Sequence, residues 1–261
     1  MQNYPITHTA LTQLAFPLNV FACATFLQEG QVDYLHYGLF DEGHTSIRAA
    51  QTQSTEMILR RLPARGARVL EIGIGLGATA KILADLGLKV TGIAPDPAQV
   101  EIARARSGGA VQFEVERFEH YSAPVGGFDF ILLQESSQYL EPELLFSKAY
   151  ELLEAGGRML ILDQFVLRRA NPPQGPLHYG PDFIALAEGQ GFKMKEHLDL
   201  STRATPTLDY ILKILDAHKD ALLELIPIEA AELAALRDAV AANRENYHRS
   251  ILGYALYDLR R

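Results

Sequence analysis

Apolar positions follow two rhythms along this chain, and the two alternate. Short, mostly apolar runs stand at Val69–Ile72, Lys89–Ile93, Val111–Val115, Phe128–Leu133, Arg158–Val166, Phe192–Leu200 and Ile251–Asp258. Runs of this length read as strands, the unbroken ones as strands buried on both faces. Between them lie stretches at helical spacing: Ala80–Leu86, Pro97–Arg106, Pro142–Leu153 closed by Gly156-Gly157, and Asp182–Gln190 ending at Gly191. Proline at a first helical position gives up no hydrogen bond, and glycine suits a helix end. This alternation predicts an α/β fold with a doubly wound parallel sheet. Two helices precede the sheet: about Ala10–Gln28, broken or kinked near Pro17, and Ser46–Leu62, where Ala49, Ala50, Met57, Ile58 and Leu62 share one face. Two amphipathic helices, Thr207–Leu225 and Glu229–Asn246, are parted by Pro227, and Asn171–Pro176 is a loop.

Length and charge narrow the classes. The 261 residues suit one α/β domain with added helices. With 24 basic against 32 acidic residues the net charge is −8. No basic cluster tracks a phosphate backbone, so no nucleic-acid partner is expected. Cys23 is the only cysteine, which excludes an intrachain disulfide and points to a reducing, cytoplasmic setting. Ala10–Leu27 is apolar, but no Lys or Arg precedes Arg48, as a signal peptide would need. Thr12, Gln13, Pro17 and Asn19 interrupt it, so no membrane span is expected. No metal-binding pattern and no G-x-S-x-G elbow is present. Leu35-His36-Tyr37-Gly38 recurs as Leu177-His178-Tyr179-Gly180 with unlike flanks, which makes no repeat.

The densest signal is Glu71-x-Gly73-x-Gly75-x-Gly77 after the first strand. Without Cβ atoms, Gly73 and Gly75 let the backbone turn sharply and approach a ligand closely. The spacing differs from the dinucleotide fingerprint G-x-G-x-x-G. It resembles motif I of the class I S-adenosylmethionine (SAM)-dependent methyltransferases, a resemblance covering roughly Arg68–Leu167 and the last two strands. It implies a seven-stranded Rossmann-like methyltransferase sheet of order 3-2-1-4-5-7-6, the seventh strand antiparallel, with a helical lid. Residues 1–65 would be the N-terminal part of that lid and 66–200 the SAM-binding core. Residues 201–249 would be a helical insertion contributing to the lid, and 250–261 the last core strand. The glycine loop would lie under the methionine part of SAM, with Glu71 holding its ammonium directly or through water.

The resemblance carries further positions. The family's ribose-binding acid after the second strand is replaced here by Ala94, in Gly92-Ile93-Ala94-Pro95-Asp96-Pro97. Ala94, Pro95 and Asp96 are the candidates for that end of SAM; Asp96 either substitutes for the acid or caps the helix at Pro97. After the third strand, Phe118 could pack on adenine and Arg117 line its rim, or the segment is a solvated loop. Gln134-Glu135-Ser136-Ser137-Gln138-Tyr139 follows the fourth strand, at the edge where open α/β sheets bind ligands. Gln134 is a candidate SAM contact, and Glu135, Gln138 and Tyr139 face the reacting side, unless Ser136 or Ser137 merely caps a helix there. Tyr34–Phe40 is similar to the His-Tyr-Gly-aromatic stretch of cyclopropane-synthase-like and sterol-type methyltransferases. That places Tyr37 on the SAM carboxylate, with a hydrophobic plug as the other reading; His36 and Tyr179 are candidate substrate contacts.

The function expected is methyl transfer from SAM to a small-molecule acceptor by in-line displacement, giving S-adenosylhomocysteine, with Glu135, Tyr139 and Tyr37 as catalytic candidates. One alternative follows the azetidine-2-carboxylate synthase-like branch, in which the amino group of SAM displaces methylthioadenosine to close a four-membered ring. A third is a non-catalytic SAM-binding module. The acceptor and the oligomeric state are not legible in the sequence.

Overall fold

The computed structural model describes residues 6–41, 46–169 and 177–261; the predicted loop at 171–176 lies outside them. Seven strands form one sheet of order β3-β2-β1-β4-β5-β7-β6. They are β1 (Arg68–Ile72), β2 (Lys89–Ala94), β3 (Gln112–Val115), β4 (Phe128–Gln134), β5 (Leu153–Val166), β6 (Lys193–Asp199) and β7 (Leu252–Arg260). The pairs from β3 to β5 are parallel, and β7 runs antiparallel to both β5 and β6.

Side-chain alternation divides the core in two. Val69, Phe130, Leu132 and Leu160 belong to one buried cluster; Leu70, Ile131, Leu133, Met159 and Ile161 belong to another. Successive strand residues point to opposite faces, so a strand covered on both sides has to be apolar at every position. Helices α4 (Ala78–Asp85) and α5 (Pro97–Ser107) accompany the β1–β3 half, and α6 (Pro142–Leu152) and α7 (Gly180–Gly189) the β4–β6 half. Edge strand β6 alternates exposed and half-buried residues, as a one-sided strand does.

Two boundaries differ from the sequence reading. The chain passes directly from α6 into β5: Leu153 already pairs with Phe128, and the ladder resumes at Phe130–Arg158 after an irregularity. Gly156, at φ +81°, therefore lies within the strand and does not close the helix. The helix expected over Thr207–Leu225 divides at His218 into α9 (Pro206–Ala217) and α10 (Lys219–Leu225).

The remaining helices are α1 (His8–Thr12), α2 (Leu18–Glu29), α3 (Ile47–Leu59), α8 (Ser201–Ala204) and α11 (Ala230–His248). The break between α1 and α2 falls at Pro17, after a cis peptide bond with Phe16. Helix α2 packs on α9 and α10, where the Tyr210 hydroxyl donates to Glu29 Oε1 at 2.9 Å and the His218 ring meets Gln28 at 3.1 Å. Cys23 is buried within α2.

Residues 34–40 form a strap between these helices and the sheet. Gly38 N–H donates to Thr207 Oγ1 at 3.0 Å, Leu39 N–H to the Ala50 carbonyl at 2.8 Å, and Phe40 N–H to the Arg203 carbonyl at 2.8 Å. A Cβ on Gly38 would sit 2.6 Å from that of Ala50, so only glycine lets the strap lie this close to α3. Among the described residues no helix is long and apolar enough to cross a membrane.

Candidate functional site

The loop after β1 is built on three left-handed glycines: Gly73 at φ +80°, Gly75 at +51° and Gly77 at +74°. Their surroundings differ. A Cβ on Gly73 would fall 2.3 Å from Ser136 Cβ, and one on Gly77 2.5 Å from Ala103 Cβ. These two glycines let the loop press against the segment after β4 and against α5. A Cβ on Gly75 would meet nothing within 4 Å, so the loop turns an open backbone surface outward there.

Glu71, two residues before Gly73, is 2% exposed, and its Oε2 has no hydrogen-bond partner among the described residues. Burial pushes its carboxyl up to about 8. A buried acid with an orphaned oxygen beside an open glycine loop fits a ligand that brings a positive charge. The first turn of α4 starts at the end of the same loop and offers backbone N–H groups to a negative one. Together the two ends suit an α-amino acid moiety.

The segment after β4 is fixed from several sides. Gln134 accepts from Thr79 Oγ1 at 3.1 Å and donates to Ser54 Oγ at 3.4 Å, so it ties α4 and α3 to the strand end. Glu135 takes the left-handed conformation, φ +57°. Its Oε1 accepts from Tyr37 N–H at 2.5 Å and from the Tyr254 hydroxyl at 2.6 Å. Burial, reinforced by nearby Asp163, pushes its carboxyl up to about 8 against those two donors. Ser136 donates to the Ile72 carbonyl, which locks this segment to the end of β1.

Asp163, on β5 and fully buried, anchors the rest. It accepts from Ser137 N–H (2.8 Å), Ser137 Oγ (2.6 Å), Gln138 N–H (3.3 Å), Gln138 Nε2 (3.4 Å) and Gln164 N–H (2.8 Å). Burial outweighs these donors and raises its carboxyl to about 6. Ser137–Tyr139 is a single 3-10 turn that leaves Tyr139 64% exposed at the rim. Tyr37 stacks on Tyr254 with ring centroids 5.8 Å apart and planes 3° from parallel, and Tyr247 lies against Tyr37 at 6.5 Å. Burial lifts all three hydroxyls. Asp163, Tyr247 and Tyr254 were not among the sequence candidates; the available signal was an aspartate inside the apolar run of β5.

The structure thus gathers Tyr37, Gln134, Glu135, Gln138 and Tyr139 around the strand ends, beside Glu71 and the glycines. Other candidates lie elsewhere or are engaged. Phe118 is 2% exposed and packs in the core with Lys148 over its ring, so it is not a free face for adenine. Arg117 is a surface residue near Glu119. His36 is buried, its Nδ1 against the Tyr37 carbonyl (2.9 Å) and its Nε2 near Thr55 Oγ1 (3.4 Å); burial drops it to about 4, so it stays neutral. Tyr179 precedes α7 under the guanidinium of Arg169. Ala94 is buried at the end of β2 and Pro95 is exposed.

Asp96 serves the backbone with both oxygens. Oδ1 accepts from Ala98 N–H at 2.9 Å as the cap of α5, and Oδ2 from Ala15 N–H at 3.0 Å. Asp96→Ala is therefore expected to cost about 1–2 kcal/mol in urea unfolding and to change SAM affinity less than threefold; a tenfold loss would return it to the ribose-binding role. A separate cavity of about 400 Å³ opens between α1 and α5, lined by Ile6, Ala10, Ala98, Ile102 and Ala105, and touches none of these groups. Among the described residues no cluster of three or more His, Cys, Asp or Glu is placed to hold a metal.

A sheet of this order is that of the Rossmann-like methyltransferase fold. Known proteins agree with that fold: residues 70–161 match the family described as a methyltransferase domain. It is 32% identical over 153 residues to a ubiquinone biosynthesis O-methyltransferase of Xanthomonas axonopodis pv. citri, covering 51% of this chain and 63% of that protein. The chain thus spans less than two thirds of that relative's length. In fold it is similar to the cyclopropane synthase MmaA2 from Mycobacterium tuberculosis (TM-score 0.82, 14% identity, all of both chains). It is likewise similar to the [4+2]-cyclase SpnF (TM-score 0.79, 21% identity, 91% of each chain).

Proposed function

We propose that the chain is a SAM-dependent methyltransferase acting on a small-molecule acceptor. The observation that carries this reading is the unpartnered, buried Oε2 of Glu71 beside the open backbone at Gly75. SAM, when bound, supplies a methyl group activated by its sulfonium. Glu71 would take the ammonium, and the loop from Gly73 to Gly77 would carry the methionine chain. Gln134 and the strap at Tyr37 would border it. Glu135 and Tyr139 would face the acceptor. The helices before β1 and between β6 and β7 would act as the lid, which excludes water and holds the two reactants in line; much of the acceleration of an already activated transfer comes from such alignment.

Calorimetry with SAM and S-adenosylhomocysteine tests the binding half of this proposal; absence of heat from both rejects it. Mass spectrometry of the protein incubated with SAM alone tests the other half. Unchanged SAM is expected, and release of methylthioadenosine would replace methyl transfer by self-cyclisation.

Binding should also release a proton. With its carboxyl at about 8, Glu71 is protonated at pH 6.5 in the free protein, and an ammonium beside it favours the ionised form. The heat at pH 6.5 is expected to vary with the ionisation enthalpy of the buffer, and this variation to shrink in Glu71→Gln. Buffer-independent heat in the parent would show that Glu71 does not meet the ammonium. Linkage gives a second sign. The native chain keeps protons on Glu71 and Glu135 that the unfolded chain has released, so the ligand-free protein should lose stability as pH rises from about 4.3 toward 8.

A further inference from the structure

We propose that the acceptor taken by this cleft carries a basic nitrogen and is held as an ammonium against Oε2 of Glu135, beside the rings of Tyr37 and Tyr139. The inference rests on the methyltransferase reading and names the substrate class of the same site.

Hydrogen bonding leaves one atom for the acceptor. Glu135 Oε1 is occupied by Tyr37 N–H and the Tyr254 hydroxyl, and no hydrogen bond from another described residue reaches Oε2. Glu135 nevertheless keeps part of its surface accessible. Tyr254 is buried behind it and holds it through its hydroxyl, while the buried Tyr247 bonds Gln164 and the Gly253 carbonyl.

Charge sets what that atom can meet. The charged groups that bear on Glu135 and Tyr139 are acids: Asp163 acts on both, and Glu135 acts on Tyr139. No lysine or arginine is among them. Both donors to Glu135 act on Oε1 and do not offset its burial, so it ionises only when a further partner compensates. A carboxylate or phosphate acceptor would meet two acids here. A neutral hydroxyl would meet Glu135 in its protonated form and draw no charge attraction from it. An ammonium answers the carboxylate, and the neighbouring tyrosine faces add cation–π attraction.

The same pair solves the proton problem of an amine nucleophile. An ammonium has no free lone pair. In a buried ammonium–carboxylate pair the low dielectric disfavours both charges. The N–H bond breaks as an O–H bond forms on Glu135, and the electron pair stays on nitrogen, available for the transfer. A carboxyl held near 8 lies far closer to an amine's own pKa than an ordinary glutamate, which suits it to this exchange.

The test uses the full chain saturated with S-adenosylhomocysteine, whose sulfur is neutral. Calorimetric titration at pH 7 with benzylamine, benzyl alcohol and benzoate varies charge on one ring. Benzylamine is expected to bind at least tenfold tighter than either, and this advantage to fall below threefold in Glu135→Gln. Equal or better binding of the alcohol or benzoate, no heat from benzylamine, or an amine preference that survives in Glu135→Gln overturns the proposal. So does a tenfold loss of SAM affinity in that variant with S-adenosylhomocysteine affinity unchanged, because Glu135 would then serve the sulfonium. Should Glu135→Gln not fold, the three-ligand series on the unaltered chain decides alone. Failure of S-adenosylhomocysteine to bind at the outset refutes the methyltransferase reading; binding without amine preference refutes only this inference.

Discussion

Gly75→Val is expected to weaken SAM binding by at least about a hundredfold, roughly 2.7 kcal/mol, while the protein stays folded. A Cβ at Gly75 meets no neighbour within 4 Å, so the side chain would project into the space above the loop and not into the core. The backbone at φ +51° resists a β-branched residue, with a cost of about 1–3 kcal/mol. Urea unfolding should show that cost, and calorimetry the loss of affinity. Gly77→Ala provides the contrast. Its Cβ would stand 2.8 Å from Ala103 Cα as well as 2.5 Å from Ala103 Cβ, and backbone cannot swing aside. That variant should lose more stability than Gly75→Val despite the smaller side chain. Unaltered SAM affinity in a folded Gly75→Val protein would mean that the ligand does not lie over this loop.

Asp163→Ala is expected to cost about 3–5 kcal/mol, because several buried donors lose their acceptor together. Ser137 N–H, Ser137 Oγ, Gln138 N–H and Gln164 N–H all converge on this carboxylate. Asp163→Asn keeps one oxygen and should cost about half as much. SAM affinity should fall in both, since Ser136, next to the released residues, bonds the Ile72 carbonyl and packs against Gly73. Chemical denaturation measures the first effect and calorimetry the second. A loss below about 1 kcal/mol in Asp163→Ala would show that water replaces the carboxylate, and that this residue does not hold the segment.

The sheet was legible because each buried strand announces itself: Phe130 to Leu133 has no polar position, and the glycine loop identifies which strand is first. The antiparallel β7 came from the resemblance to a family, since its apolar run alone carries no direction. What escaped the sequence was which polar residues serve the fold and which face the cleft. Asp163 looked like a lapse in an apolar strand and proved to be the anchor of the β4 segment. Phe118 looked like a ligand-stacking ring, but the turn after β3 directs it inward. Asp96 looked like a substitute for the ribose acid, but both its oxygens hold backbone. These outcomes depend on partners distant in sequence, such as Ala15 for Asp96 and Ser137 for Asp163, and local pattern holds no record of them.

The position of β7 also has a consequence for how the chain assembles. Among the described residues strand β6 pairs only with β7, and β7 separates it from β5. β6 therefore stays without a ladder until the whole run of helices α8 to α11 has emerged from the ribosome and β7 has arrived between its two neighbours. Contacts that close over so long a segment form late. For that interval β5 presents an unpaired edge of fully buried residues, Met159 to Leu162, to any other chain nearby. Newly made protein should be most prone to self-association in this window, and a chaperone that shields the β5 edge should raise its yield more than one that acts on the finished fold.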